Sequence, residues 1–321
     1  MISSEPLSEA EKNQSRRDAY AVSMNRARFP CLAVLLALAP ILSSSRVTAQ
    51  AAIPSSAIKL TPSVVESGSP ELIRVALPQV QEISGEWLGK RLQFFQSSDG
   101  QSWFALAGLD VEAPVGTSTL SIEAKRSGGL SRLDLPVEIH PAKYRTESIS
   151  VAPRFVEPNP EDLKQIKADS QLKDEIFAVT APEPLWRGSF RAPVVASATD
   201  SFGVRRMYNG KLASIHKGMD FRAHMGTVVK AANSGTVVLA QRLYYEGNCV
   251  VIDHGLGLYT LSMHFSRIDV HVGQHVQAGQ RLGLSGATGR VTGPHLHWAV
   301  RWEGAYLDPA KLLKLNLRGV R

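Results

Sequence analysis

Cysteine is nearly absent from this chain. Of 321 residues only Cys31 and Cys249 carry a thiol. Cys31 opens a segment expected to be removed, so no intramolecular disulfide can staple the remainder, which must fold on its own core. Cys249 lies in the apolar run Cys249-Val250-Val251-Ile252, where a buried, inert thiol is the expected outcome. Long apolar runs are lacking as well. The stretch Cys31 to Leu42 is too short to cross a bilayer, so no stable membrane span is expected once it is gone. No G-x-x-x-x-G-K-[ST] loop opens a helix and no H-E-x-x-H helix is present. Nucleic-acid binding is not expected either, since no recognised motif occurs and the basic residues are scattered.

The run from Cys31 to Leu42 follows Arg26 and Arg28 and leads to Val47-Thr48-Ala49, a small-residue cleavage site. Residues 1–49 therefore read as a secretory signal with an extended leading segment, Met24 being an alternative start. Export to the periplasm or cell envelope, or beyond the cell, follows as an expectation. Charge is unevenly spread. Residues 50–200 hold 15 Lys/Arg against 19 Asp/Glu, whereas residues 201–321 hold 15 against 6. A basic exported half suits an anionic polymer surface, although ordinary solubility charge would look the same.

Alternation of period two dominates what remains. Leu120, Ile122 and Ala124, and then Leu133, Leu135, Val137 and Ile139, alternate with polar or turn residues. Asp99-Gly100 and Ser127-Gly128-Gly129 are hairpin signals. Residues 50–145 are thus expected to form a β-sandwich of immunoglobulin-like form with Trp87, Phe94 and Trp103 in its core. Residues 146–198 are expected to form a connector with a short helix, N-capped by Asn159 with Pro160 at the first helical position, followed by chain kept extended by Pro182, Pro184 and Pro193. From 199 to 312 strand patterns recur at 227–231, 235–240, 248–252, 259–263 and 296–301. Turn clusters separate them, and an antiparallel β domain is the reading. Residues 313–321 are left as a tail. The fold class is mostly β.

Chemistry concentrates in two short segments. His295-Leu296-His297 follows the turn Gly293-Pro294 and enters a strand, which sets two imidazoles on one side. His216-Lys217-Gly218-Met219-Asp220 supplies a third imidazole and a carboxylate. In an extended strand His216 and Asp220 would lie roughly 13 Å apart, so joint ligation needs a bend, which Gly218 permits. Each segment alone reads as ordinary strand and turn. Together they offer the nitrogen and oxygen donors that Zn2+ prefers. His254, in an Asp-His-Gly turn, is expected to hold backbone. His140, His224, His271 and His275 are expected to be plain surface or loop residues.

These pieces resemble the lysostaphin-type, or LytM-type, zinc metallopeptidases, also called glycyl-glycine endopeptidases. The resemblance covers residues 201–309. It is carried by Ser201-Phe202-Gly203, Arg205-Arg206, His216-Lys217-Gly218-Met219-Asp220-Phe221, Gly247-Asn248, Ile252-Asp253-His254-Gly255, His264, Ser285-Gly286, Thr288-Gly289 and Thr292-Gly293-Pro294-His295-Leu296-His297. The upstream β region is similar, more loosely, to bacterial members with an N-terminal β domain. Ser262 stands where the family often has Tyr, which bears on substrate positioning. The resemblance implies an antiparallel sheet with a groove, and one zinc per chain on His216, Asp220 and His297. It leaves His264 and His295 free for catalysis. The spacing alone would also let His295 ligate.

The implied activity is hydrolysis of bacterial peptidoglycan cross-links by a zinc-activated water, with the D-alanyl-diaminopimelate link favoured. Imidazoles, whose ordinary pKa is about 6.5, can then move the protons. Two other readings compete. A catalytically silent LytM-like module would bind the wall and activate an amidase, but such relatives lack zinc ligands that this chain retains. A purely structural zinc site would be closed by four protein ligands, often including cysteine, and Cys249 is far from the motif in sequence.

Overall fold

The alternating segments 116–126 and 129–140 fold into a long antiparallel hairpin, with Arg126 opposite Gly129 and Gly116 opposite Ile139. Leu120, Ile122 and Ala124 on its inner face are fully buried. The computed structural model describes residues 52–149, 158–208, 211–318 and 320. The signal-type segment 1–49 lies outside them. This hairpin belongs to a five-stranded sheet in the order Val65–Glu66, Gly129–His140, Gly116–Arg126, Glu82–Trp87, Lys90–Leu92. A four-stranded sheet, ordered Ile58–Thr61, Pro70–Val75, Trp103–Gly108, Phe95–Gln96, contributes Ile73, Val75, Ala105 and Leu106 to the same core. Trp87 is buried there, and Phe94 and Trp103 pack against it half-exposed.

Residues 198–307 carry a ten-stranded sheet. Its main order is Ala198–Asp200, Met219–Phe221, Leu296–Trp302, Leu258–Ile268, Gly247–Asp253, Gly235–Leu243, His275–Val276. Its pairings are antiparallel throughout. Two of the central strands read as near-continuous apolar runs because both faces are covered. One face packs into the core that continues into the N-terminal sheets. The other holds Leu239, Leu243, Cys249, Val251, Tyr259, Leu261, Met263 and Ala299, with Leu172, Ile176 and Phe177 of the preceding helix against them.

That helix runs from Pro160 to Phe177, 18 residues, well beyond a short connector. Asn159 caps it by accepting the N–H groups of Glu161 and Asp162, and no proline or glycine interrupts it before Pro182. Only Asp169 in it is buried. Its carboxylate accepts the Tyr244 N–H at 2.6 Å and the Gln165 amide at 2.7 Å, while Lys173 pairs with Glu246 at 2.5 Å. Among the described residues no helix is long and apolar enough to cross a membrane.

Two further departures from the sequence reading shape the molecule. Residues 146–149, assigned to a connector, form a strand parallel to Arg205–Tyr208, which pairs in turn with Lys211–Ile215. The stretch read as a C-terminal tail buries Leu315, Leu317 and Val320 and begins inside the helix Pro309–Lys314. Leu315, Leu317 and Val320 belong to the same core as Leu307 and Leu312.

Candidate metal centre and active site

Asp220 and His297 are direct cross-strand neighbours, and His297 on its other side faces Met263. This register brings the two segments into one place. His297 Nδ1 stands 2.9 Å from Asp220 Oδ1. His216, three residues before the first residue of the strand that carries Asp220, turns Nε2 to 3.2 Å from that oxygen and 3.1 Å from His297 Nδ1. The bend at Gly218 has a second reason besides backbone freedom. A Cβ there would lie 2.3 Å from His297 Nε2 and 2.9 Å from the Trp298 carbonyl, so only glycine lets the His297 ring lie across this turn.

The three donor atoms lie within 4.8 Å of one another. Donors about 2 Å from a tetrahedral zinc are separated by roughly 3.3 Å, close to the spacings here. The proton inventory points the same way. His216 Nδ1–H donates to the Ser201 carbonyl at 2.8 Å, which leaves Nε2 with a bare lone pair facing another imidazole nitrogen and a carboxylate oxygen. A cation satisfies all three. Burial pushes Asp220 up, but the imidazoles of His216 and His297 against its oxygen override burial and hold the carboxyl far below its ordinary range. Burial opposes protonation of His216, yet the Asp220 carboxylate keeps its pKa above the usual value. Burial prevails at His297, whose pKa is lowered.

His264 and His295 stand beside this triad. Their ring centroids are 4.8 Å apart, and His264 is 6.1 Å from His297 by the same measure. His295 Nε2 is 3.8 Å from Asp220 Oδ1. Each ring is fixed through its other nitrogen. His264 Nδ1–H donates to the Thr288 carbonyl at 2.9 Å, and His295 Nδ1–H donates to the Gly293 carbonyl at 2.8 Å. Both Nε2 lone pairs are thereby free. Burial pushes the His264 pKa down to about 4, so the ring is neutral over the physiological range. Its backbone is in the left-handed region, φ 67°, uncommon for a non-glycine residue and a form of strain found at functional sites. The strand is irregular at this point: the register with the strand Gly247–Asp253 shifts, and the His264 N–H reaches the Glu246 carbonyl.

Sequence reading passed over the groups that hold the site. The orienting carbonyls of Ser201, Thr288 and Gly293 carry no side-chain signature. Asp200 does have one, but nothing in its spacing marks it. It accepts Arg145 at 2.9 Å and Arg206 at 3.0 Å, and its Oδ2 lies 3.5 Å from His216 Nδ1. The remaining histidines are elsewhere. His254 is fully buried, with Nδ1–H donating to the Ser234 carbonyl and Nε2 accepting the Thr260 hydroxyl. His140, His224, His271 and His275 are exposed. A cleft of about 500 Å³ around Gly85, Arg91 and Arg132 on the N-terminal sheet shares no residue with the site.

Comparison with known proteins singles out this part of the chain. The family model described as Peptidase family M23 matches residues 214–309. The peptidoglycan DD-endopeptidase ShyA of Vibrio cholerae is 41% identical over 138 residues, which are 42% of this chain and 31% of that protein. A DD-carboxypeptidase/endopeptidase, Mpg, of Neisseria meningitidis is 38% identical over 98 residues, 30% of this chain and 23% of that protein. The chain thus spans about a third or less of the length of these relatives. A crystal structure from Pseudomonas aeruginosa assigned to peptidase M23 aligns over 75% of this chain and 92% of its own, with TM-score 0.58 and 28% identity.

Proposed function

Because residues 214–309 are a peptidase family M23 domain, we propose that this protein is a zinc metalloendopeptidase that hydrolyses the peptide cross-links of bacterial peptidoglycan, with the D-alanyl-diaminopimelate link favoured. The observation that carries the reading is the pairing of one converging donor set, His216, Asp220 and His297, with two imidazoles, His264 and His295, each held through Nδ1 and with Nε2 free beside it. The names of the relatives, DD-endopeptidases and a DD-carboxypeptidase/endopeptidase, support the substrate class.

In this reading His216, Asp220 and His297 hold one zinc per chain, a two-histidine, one-carboxylate set that leaves a position open. Bound there, zinc lowers the pKa of water toward neutrality and polarises a carbonyl. The protein groups supply the rest. His264 and His295, each locked through Nδ1, aim Nε2 at the reacting centre, where they take a proton from the attacking water, hold the developing oxyanion and return a proton to the leaving amine. The Ser201 carbonyl keeps His216 in the tautomer with Nε2 bare. The working place of such an enzyme is the cell envelope, and its partner there is the wall polymer.

The test separates ligand from catalyst. His297→Ala is expected to abolish stoichiometric zinc binding, because a three-ligand set has none to spare. His295→Ala and His264→Ala are expected to keep zinc while cleavage of purified muropeptides, followed by mass spectrometry, falls by a factor of about 10² to 10⁴. Zinc lost from His295→Ala and kept in His297→Ala would reverse the assignment, and undiminished cleavage by rigorously metal-free protein would end the zinc reading.

A further inference from the structure

His264 is held in a backbone conformation that a histidine rarely adopts by itself. Its φ of 67° lies in the left-handed region, where a residue with a Cβ stays only when its surroundings fix it. Two contacts do so. The ring is tied through Nδ1–H to the Thr288 carbonyl, and the backbone N–H donates to the Glu246 carbonyl at 2.9 Å. Both carbonyls belong to one small wall, made of residues 244–247 and 288–290. The Arg290 N–H donates to the Tyr245 carbonyl, and the Asn248 N–H donates to the Thr288 hydroxyl, which itself donates to the Phe265 carbonyl. A Cβ on Gly247 would lie 2.3 Å from the Thr288 carbonyl, so the two segments close on each other only with glycine there.

This wall is anchored from outside the family match, residues 214–309. Asp169 and Lys173 stand one turn apart on one side of the helix Pro160–Phe177, and each grips the segment 244–247. The Asp169 carboxylate accepts the Tyr244 N–H, and the Lys173 ammonium meets Glu246 Oε1 at 2.5 Å. This ion pair is largely withdrawn from water, its side chains 24% and 11% exposed. The second carboxylate oxygen of Glu246 is buried with no hydrogen-bond partner among the described residues. Tyr306 and Cys249 border the pair, and both stay neutral because burial raises their pKa. Removing two charges from water costs about what their attraction returns, so an apolar pair of similar volume would hold the helix equally well. What the ion pair adds is direction. It fixes residue 246 at one place along the helix, and with it the carbonyl that receives the His264 N–H.

We propose that Lys173 and Glu246 are positioning residues for the reaction: their ion pair sets the Glu246 carbonyl that holds the His264 backbone, and thereby aims the His264 ring beside the metal-donor set. The proposal rests on the peptidoglycan reading and extends the machinery to a helix that precedes the family match. The two side chains act through the backbone of residue 246, and the proton transfer stays with the histidines. Their effect therefore falls on the rate of the chemical step, where a misplacement of about 1 Å costs up to about 10²-fold. Metal binding by His216, Asp220 and His297 and the affinity for substrate are left unchanged.

The experiment replaces the ion pair by an apolar one, Lys173→Met with Glu246→Leu, in the zinc-loaded full chain. The double variant is expected to keep one zinc per chain and a thermal midpoint within about 5 °C of the wild type. On purified cross-linked muropeptides its kcat should fall about tenfold with KM within about twofold. Exchange of the His264 backbone N–H with deuterated water, followed by NMR, should accelerate at least about tenfold, while amides of the strand Gly235–Leu243 keep their wild-type rates. Lys173→Met alone supplies the same two readouts if the double variant does not fold. Wild-type kcat in the variant, or a fall in kcat with unchanged exchange at His264, would overturn the proposal alone. Failure of the wild type to cleave muropeptides would overturn it together with the peptidoglycan reading.

Discussion

At the scale of single residues, three histidines of similar burial do different work because their second nitrogens meet different partners. His216 and His264 each donate Nδ1–H to a carbonyl and keep Nε2 bare. His254 uses both nitrogens inside the protein, toward Ser234 and Thr260. Burial pushes the His254 pKa down to about 4, against an ordinary value of about 6.5. The folded chain therefore binds fewer protons than the unfolded chain between these values. Stability is complete above pH about 6.5 and is lost as pH falls toward 4, by about 3 kcal/mol for this group alone. His254→Asn keeps a donor for Ser234 and removes the titration. Thermal unfolding followed from pH 7 to pH 4 should show the wild type losing more stability than the variant, and parallel curves would contradict this.

Among elements, the helix Pro160–Phe177 shows how a weakly amphipathic segment is held. Its apolar contacts come only from its C-terminal half, Leu172, Ile176 and Phe177. The N-terminal half is attached through polar groups, above all buried Asp169, which accepts the Tyr244 N–H. Asp169→Ala would leave that N–H without its partner, a loss of about 1–3 kcal/mol. Denaturant unfolding and proteolysis near residue 160 should both register the change. A variant as stable and as protected as the wild type would show that the apolar half suffices. The strand Thr146–Ile149 is a comparable case. It pairs with Arg205–Tyr208, and Arg145 just before it reaches Asp200 beside His216.

Over residues 48–321, which make up one compact unit, the N-terminal sheets and the ten-stranded sheet are joined by specific contacts. Gly108 packs on Leu307, the Tyr306 N–H reaches Asp110, the Asp308 N–H reaches the Gly68 carbonyl, Lys90 donates to the Glu303 carbonyl, and Lys311 pairs with Glu66. Among the described residues, apolar side chains from Ile53 to Val320 form a continuous core. A fragment starting near Ala192 would keep the four site histidines and Asp220 but expose part of that core and lose the strand paired with Arg205–Tyr208. It should unfold at a temperature at least about 10 °C lower than the longer chain when both are zinc-loaded, since losses of several kcal/mol shift midpoints by that much. Equal midpoints would mean that the upstream part contributes nothing to the stability of the sheet.

What the sequence determines by itself is local. Period-two alternation is enough to show the hairpin 116–140 and the strands of the C-terminal half, because side-chain direction repeats along a single strand. Two donor groups, His295-Leu296-His297 and His216 with Asp220, are equally visible, as is the cap at Asn159. Their meeting depends on a register between strands more than 70 residues apart, Asp220 opposite His297, and no local pattern encodes it. The same holds for the carbonyls of Ser201, Thr288 and Gly293 that leave one nitrogen of each ring free, and for Asp200 beside His216. The helix docked through Asp169 and the buried C-terminal leucines are likewise decided by packing against surfaces that other parts of the chain supply. Sequence gives the donors and the strands; the tertiary fold sets the distances between them and the direction of each lone pair.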